Sequence, residues 1–216
     1  MNAPVNHPKV GDQGEVVIIQ TPTQSTPAVD WIDSDKSIIW TPNSAVPPMI
    51  NFIALERWSN PPKGIDEWNT CNLRMPSIDE PPMPLSDRPH ASGVVIVERD
   101  WRIWLVSPSN QFGGYKTTFP KGKVDPGLSL QANAIKEGFE ESGLKVRITG
   151  YLGDFKRTSS MTRLYLAERV GGDPSDMGWE SQAVTLAPPV MWDKHLQHPA
   201  DKPVVAALRV LFNKSR

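Results

Sequence analysis

The sequence predicts an α/β fold behind a proline-rich N-terminal extension, and three observations carry that expectation. From about Pro89 onward, short apolar runs with strand character alternate with amphipathic helical stretches. The first ninety residues hold 14 of the 22 prolines, too many for long helices or central strands. Within the second part, one helical stretch places Glu137, Glu140 and Glu141 on one face and Ala132, Ile135 and Phe139 on the other.

Taken in order, residues 1–28 read as a flexible tail around one short strand, Glu15 to Ile19. Residues 29–88 carry Trp31, Trp40, Trp58 and Trp68, with apolar runs at Ile38-Ile39 and Met49 to Leu55, a composition unlike disordered chain. This Pro/Trp-rich stretch is expected to pack on the core, across a homodimer, or onto a partner. Residues 89–216 read as the main domain. Gly93 to Val97 and Trp101 to Val106 are strands around an Arg99-Asp100 turn, and the loop from Ser107 to Thr118, with Gly113-Gly114, borders the site. Strands follow at Val146 to Leu152, Thr162 to Ala167 and Ala183 to Leu186. A final helix, Val204 to Lys214, enters through Pro203 with Val204, Val205, Leu208, Leu211 and Phe212 on one stripe.

The glutamate helix is locally well specified. Ser129 can serve as N-cap after the Pro126-Gly127 turn, and Gly143 stands where a C-cap glycine belongs. Lys136 precedes Glu140 by four residues and can pair with it across one turn. Three like charges so close destabilise a helix unless something positive lies among them. A hard divalent cation such as Mg²⁺, or Mn²⁺ in its place, takes carboxylate oxygens and is commonly shared with substrate phosphates. A solvated acidic face is the competing reading. Without a cation, at least one of the three carboxyls should be hard to ionise.

From Gly122 to Leu144 the chain resembles the Nudix hydrolase family. Gly122, Glu137, Glu140, Glu141, Gly143 and Leu144 match its signature, whereas Leu128, Lys136 and Gly138 depart from it, standing for a Glu, an Arg and an apolar residue. Phe119-Pro120-Lys121-Gly122 and Asp125-Pro126-Gly127 are also similar to the family, especially to members acting on dinucleoside polyphosphates. The resemblance implies a Nudix-type α/β/α sandwich with a mixed sheet over residues 89–216. It also implies Mg²⁺-dependent hydrolysis of a nucleoside diphosphate linked to another group. The metal ligands would be Glu137, Glu140 and Glu141 with the Gly122 carbonyl. The base would be a further downstream Glu, for which Glu180 is the candidate, or a box glutamate. A surface residue at a strand entrance is the other reading of Glu180. Two alternatives stand beside this function: hydrolysis of a diphosphoinositol polyphosphate or other non-nucleotide diphosphate, and a catalytically impaired Nudix module that senses or scaffolds a nucleotide, as the Leu128 and Lys136 departures suggest.

Lys116, Lys121, Lys123, Lys156, Arg157 and Arg163 flank these segments, and Lys121, Lys123 and Arg157 are the candidates for substrate binding. A net charge of −1 argues against a general nucleic-acid surface and for a small anionic diphosphate. Phe112, Tyr115 and Trp179 are candidates to stack on a base, while His195 and His198 read as surface residues. No run is long enough to cross a membrane, no signal peptide is evident from Met1 to Pro8, and the single cysteine, Cys71, suits a cytoplasmic protein.

Overall fold

The computed structural model describes residues 5–215, so the first four residues of the expected tail lie outside it. The extension contributes a hairpin of β1 (Val5–Asn6) and β2 (Ile18–Ile19), then β3 (Ile38–Trp40), a second hairpin of β4 (Met49–Ile50) and β5 (Ile53–Ala54), and helix α1 (Ile65–Leu73). There follow β6 (His90–Val97), β7 (Ile103–Pro108), β8 (Lys121–Lys123), α2 (Leu130–Ser142), β9 (Leu144–Lys156), β10 (Met161–Gly172), β11 (Ser181–Ala187), α3 (Trp192–His195) and α4 (Lys202–Lys214).

The main sheet has seven strands in the order β3-β11-β7-β6-β10-β9, with β8 beside the first half of β6. It is mixed: β6 and β10 run parallel and the other neighbours antiparallel. Alternation along the strands sets the layers. Val94 and Ile96 face Ala132 and Ile135 of α2, whereas Val95 packs on the other side with Leu105, Leu164 and Leu208 of α4. The chain thus forms the expected α/β/α sandwich.

Helix α2 is capped as its sequence implies: the Ser129 side chain accepts the Ala132 N–H at 3.1 Å, and Gly143 ends the helix in the left-handed region with φ of 73°. Gly138, one of the departures from the signature, lies against the sheet. A Cβ there would stand 2.9 Å from Val94 Cγ2, so glycine lets the helix approach β6 closely.

The extension is continuous with this core. β3 pairs antiparallel with β11 at the sheet edge, and Trp31 and Trp40 join the α2-side cluster. Trp58 and Trp68 pack on Phe139 of α2, with ring centroids 5.2 and 6.2 Å away. Three buried arginines of the main domain donate to extension carbonyls: Arg102 to Trp31 at 2.8 Å, Arg163 to Pro81 at 2.8 Å, and Arg169 to Ile50 at 2.9 Å and Ala54 at 3.0 Å. Each arginine also meets a carboxylate, closest for Arg169 with Glu98 at 2.6 Å. Proline density in the extension permits α1 because its nine residues are free of proline. Among the described residues no helix is long and apolar enough to cross a membrane.

Candidate active site

Strand β8 carries Lys121, Gly122 and Lys123 beneath α2 because it pairs with the first half of β6. The loop and the helix then lock at two glutamates. Glu141 accepts the Lys121 N–H at 2.9 Å. The Glu137 carboxylate lies so close over Gly122 that a Cβ there would meet its oxygens at 2.3 and 2.4 Å. A side chain at this position would have to push that carboxylate aside. Asn133, fully buried, braces the same loop: it donates to Ser92 Oγ at 3.0 Å and accepts the Asp125 N–H at 3.1 Å.

Lys136 lies among the acids, 2.7 Å from Glu140, 3.1 Å from Asp125 and 3.5 Å from Glu137. Even so, burial pushes the Glu137 carboxyl up to about 8, and Glu141 adds to the rise. Burial likewise pushes Glu141 up to about 7, against the pull of Lys121. Like charges that resist ionising together are the electrostatic mark of a site that wants a further cation. The donor set, carboxylate oxygens with a carbonyl nearby, has the chemistry of Mg²⁺ or Mn²⁺. Among the described residues, no three His, Cys, Asp or Glu side chains are gathered to hold a metal as they stand. Glu140 is instead turned toward Lys136.

Glu180 comes from the entrance of β11. It is exposed, its carbonyl accepts the Ser109 N–H at 2.7 Å, and its carboxyl is shifted upward by partial desolvation, then by Asp12 and Glu140. The fold therefore brings it within electrostatic reach of the α2 glutamates. Next to it, Trp179 donates its indole N–H to Asp12 Oδ1 at 3.1 Å, which ties the N-terminal hairpin to this edge.

The basic candidates separate. The Lys121 ammonium sits 5.1 Å from the Tyr115 ring centre, and burial lowers its pKa despite nearby Glu141. Among the described residues it has no carboxylate within salt-bridge distance. Lys123, Lys116 and Lys156 are exposed. Arg157 is buried, donating to Asp201 at 2.5 Å, Ala200 O at 2.8 Å and Thr118 at 2.9 Å, and Arg163 is buried against Asp154. Of the aromatic candidates, Tyr115 is buried beneath His198, ring centres 4.1 Å apart, Phe112 is exposed on the loop after β7, and Trp179 is half-buried. His195 and His198 are both half-buried, rather than free on the surface: His195 contacts Ser37 Oγ at 2.8 Å. Asn133 joins this region without a sequence signal, and the pairing of Asp125 with Lys136 and of His198 with Tyr115 is likewise absent from the sequence, because it forms between separate elements.

The family model of the NUDIX domain matches residues 87–208. An RNA pyrophosphohydrolase of Caulobacter vibrioides is 37% identical over 70 residues, 32% of this chain and 38% of that protein, so the chain spans well under half the length of this curated relative. A NUDIX hydrolase from Nitrosomonas europaea aligns at 17% identity and TM-score 0.48, covering 58% of this chain and 73% of that one. A C. elegans Ap4A hydrolase aligns at 22% identity and TM-score 0.47, covering 57% and 96%.

Proposed function

The chain belongs to the Nudix family, and from that premise we propose that it is a Mg²⁺-dependent pyrophosphohydrolase cleaving a diphosphate linkage in a nucleoside diphosphate-X compound. The observation that carries this reading is the locking of β8 to α2, with Glu137 over Gly122 and Glu141 on the Lys121 amide. In support, two carboxylates lie near a half-buried ammonium that, among the described residues, has no carboxylate within salt-bridge distance. A diphosphate supplies the anion that Lys121 lacks, with Lys123 at the open edge as a second contact. Arg157, engaged by Asp201, contributes by packing its guanidinium on the Tyr115 ring rather than by reaching out.

Glu137, Glu140 and Glu141 with the Gly122 carbonyl would hold the cation. When bound, Mg²⁺ offsets phosphoryl charge and acidifies a coordinated water. Glu180 is assigned as proton acceptor because it alone of these carboxylates comes from another element and is open to water.

The test is incubation with Mg²⁺ and a panel of dinucleoside polyphosphates, nucleotide sugars, ADP-ribose, nucleoside triphosphates, diphosphoinositol phosphates and a 5′-triphosphorylated RNA, products resolved by mass. The RNA is included because of the Caulobacter relative. One class should turn over, and Glu141→Gln should lower kcat at least about a hundredfold. Turnover of none, by protein that still binds the divalent cation, would overturn the assignment.

A further inference from the structure

Lys136 has three carboxylate neighbours, and they are not equivalent. Glu137 and Glu140 belong to the set assigned to the cation, whereas Asp125 lies outside the helix in the turn before it. Asp125 is held independently of Lys136. Its N–H donates to Asn133 Oδ1 at 3.1 Å and its carbonyl accepts the Leu128 N–H at 3.1 Å. Its side chain is 47% exposed, so it keeps its charge in contact with water, while that of Lys136 is 18% exposed. Leu128 cannot take this part, since it is buried with Trp68 and Ile135 in the apolar cluster.

An ammonium 2.7 Å from Glu140 occupies an oxygen that a divalent cation would use. The two cations repel, so filling the site requires the ammonium to move to another anion or to water. Resting on the metal-site reading above, we propose that Asp125 is a positioning residue that draws the Lys136 ammonium off Glu137 and Glu140 and thereby frees those carboxylates for a divalent cation. Lys136 is the resident counter-ion of the acidic face, and Asp125 is where it retreats. Among the described residues, removing Asp125 leaves Lys136 no ion-pair partners except the ligands themselves.

The experiment is Mn²⁺ titration of the full chain without substrate, free Mn²⁺ being followed by electron paramagnetic resonance. Asp125→Asn should weaken Mn²⁺ binding about tenfold, and Asp125→Glu should restore it to within about twofold of wild type. Lys136→Met should tighten binding. In the Lys136→Met background the Asp125→Asn change should cost less than about twofold, because no ammonium is left to be drawn away. An equal loss in both backgrounds overturns the proposal, since Asp125 would then act through its own charge on the metal. Lys136→Gln runs in parallel in case the methionine variant does not fold, as judged by circular dichroism. Absence of Mn²⁺ binding by the wild type instead overturns the metal-site reading itself.

Discussion

At the scale of single residues, Leu128 is the informative departure. It faces an apolar cluster with Trp68, Ile135 and Ala132, only 8% exposed, so restoring the glutamate of the family signature would bury a carboxylate among apolar side chains. Leu128→Glu is therefore expected to destabilise by about 3 kcal/mol, lowering Tm by roughly 6–12 °C, without raising kcat. Thermal melting and steady-state rates on one preparation check both halves; a faster and equally stable variant would contradict the burial argument. The same contrast shows what was legible at this scale. Glu137, Glu140 and Glu141, and the Lys136–Glu140 pair, need only helical spacing and so stand in the sequence. Asp125 meets Lys136 across a turn, and Arg157 meets Asp201 from 44 residues away, pairings that only the folded chain creates. The closeness of Gly122 to Glu137 is of the second kind, although the glycine itself could be picked out from the signature.

Among elements, length decided legibility. The long strands of the main domain announce themselves by alternation, and α2 and α4 by their stripes. β3 and β8, three residues each, carry too little pattern to stand apart from loop, yet one extends the sheet and the other sets the site. The β1/β2 hairpin is a similar case. Its docking buries His7 and Ile19, with His7 Nδ1 accepting the Lys9 N–H at 3.0 Å. Burial pushes the His7 imidazole below its ordinary value of 6.5, and the Lys9 charge adds to that fall. A detached hairpin therefore binds the proton more readily than a docked one. Docking keeps its full strength above about pH 6.5 and loses it as the pH falls from there through the lower docked value. Hydrogen exchange at the Ile18 and Ile19 amides, corrected for intrinsic rate, should be faster at pH 5 than at pH 8. The His7→Gln variant should flatten the difference; an unchanged difference would assign the effect to another group. Because Asp12 of this hairpin accepts from Trp179 beside Glu180, loosening it also loosens one edge of the candidate site.

For the whole molecule, the boundary drawn by composition near residue 88 is not a boundary in packing. The family model begins at residue 87, yet the domain it describes has three buried guanidinium groups whose acceptors lie partly upstream of it. Without the extension, Arg102 loses the Trp31 carbonyl, Arg163 loses Pro81 and Glu80, and Arg169 loses Ile50 and Ala54. β11 becomes an unpaired edge, and Trp104, whose ring centre is 6.1 Å from that of Trp31, is uncovered. Each buried polar group left without a partner costs about 1–3 kcal/mol, against a total stability of about 5–15 kcal/mol for an ordinary domain. Several such losses together with the exposed tryptophan surface consume most of that margin. A fragment of residues 87–216 should therefore melt without a cooperative transition, bind a hydrophobic dye, or precipitate, where the full chain melts in one step. Calorimetry on both checks it, and a fragment melting cooperatively at the full-chain temperature would show that the arginines serve something other than cohesion. If the fragment fails, the influence of the extension on substrate choice must be read from point substitutions in the intact chain, because removing the extension removes the fold that holds the glutamates.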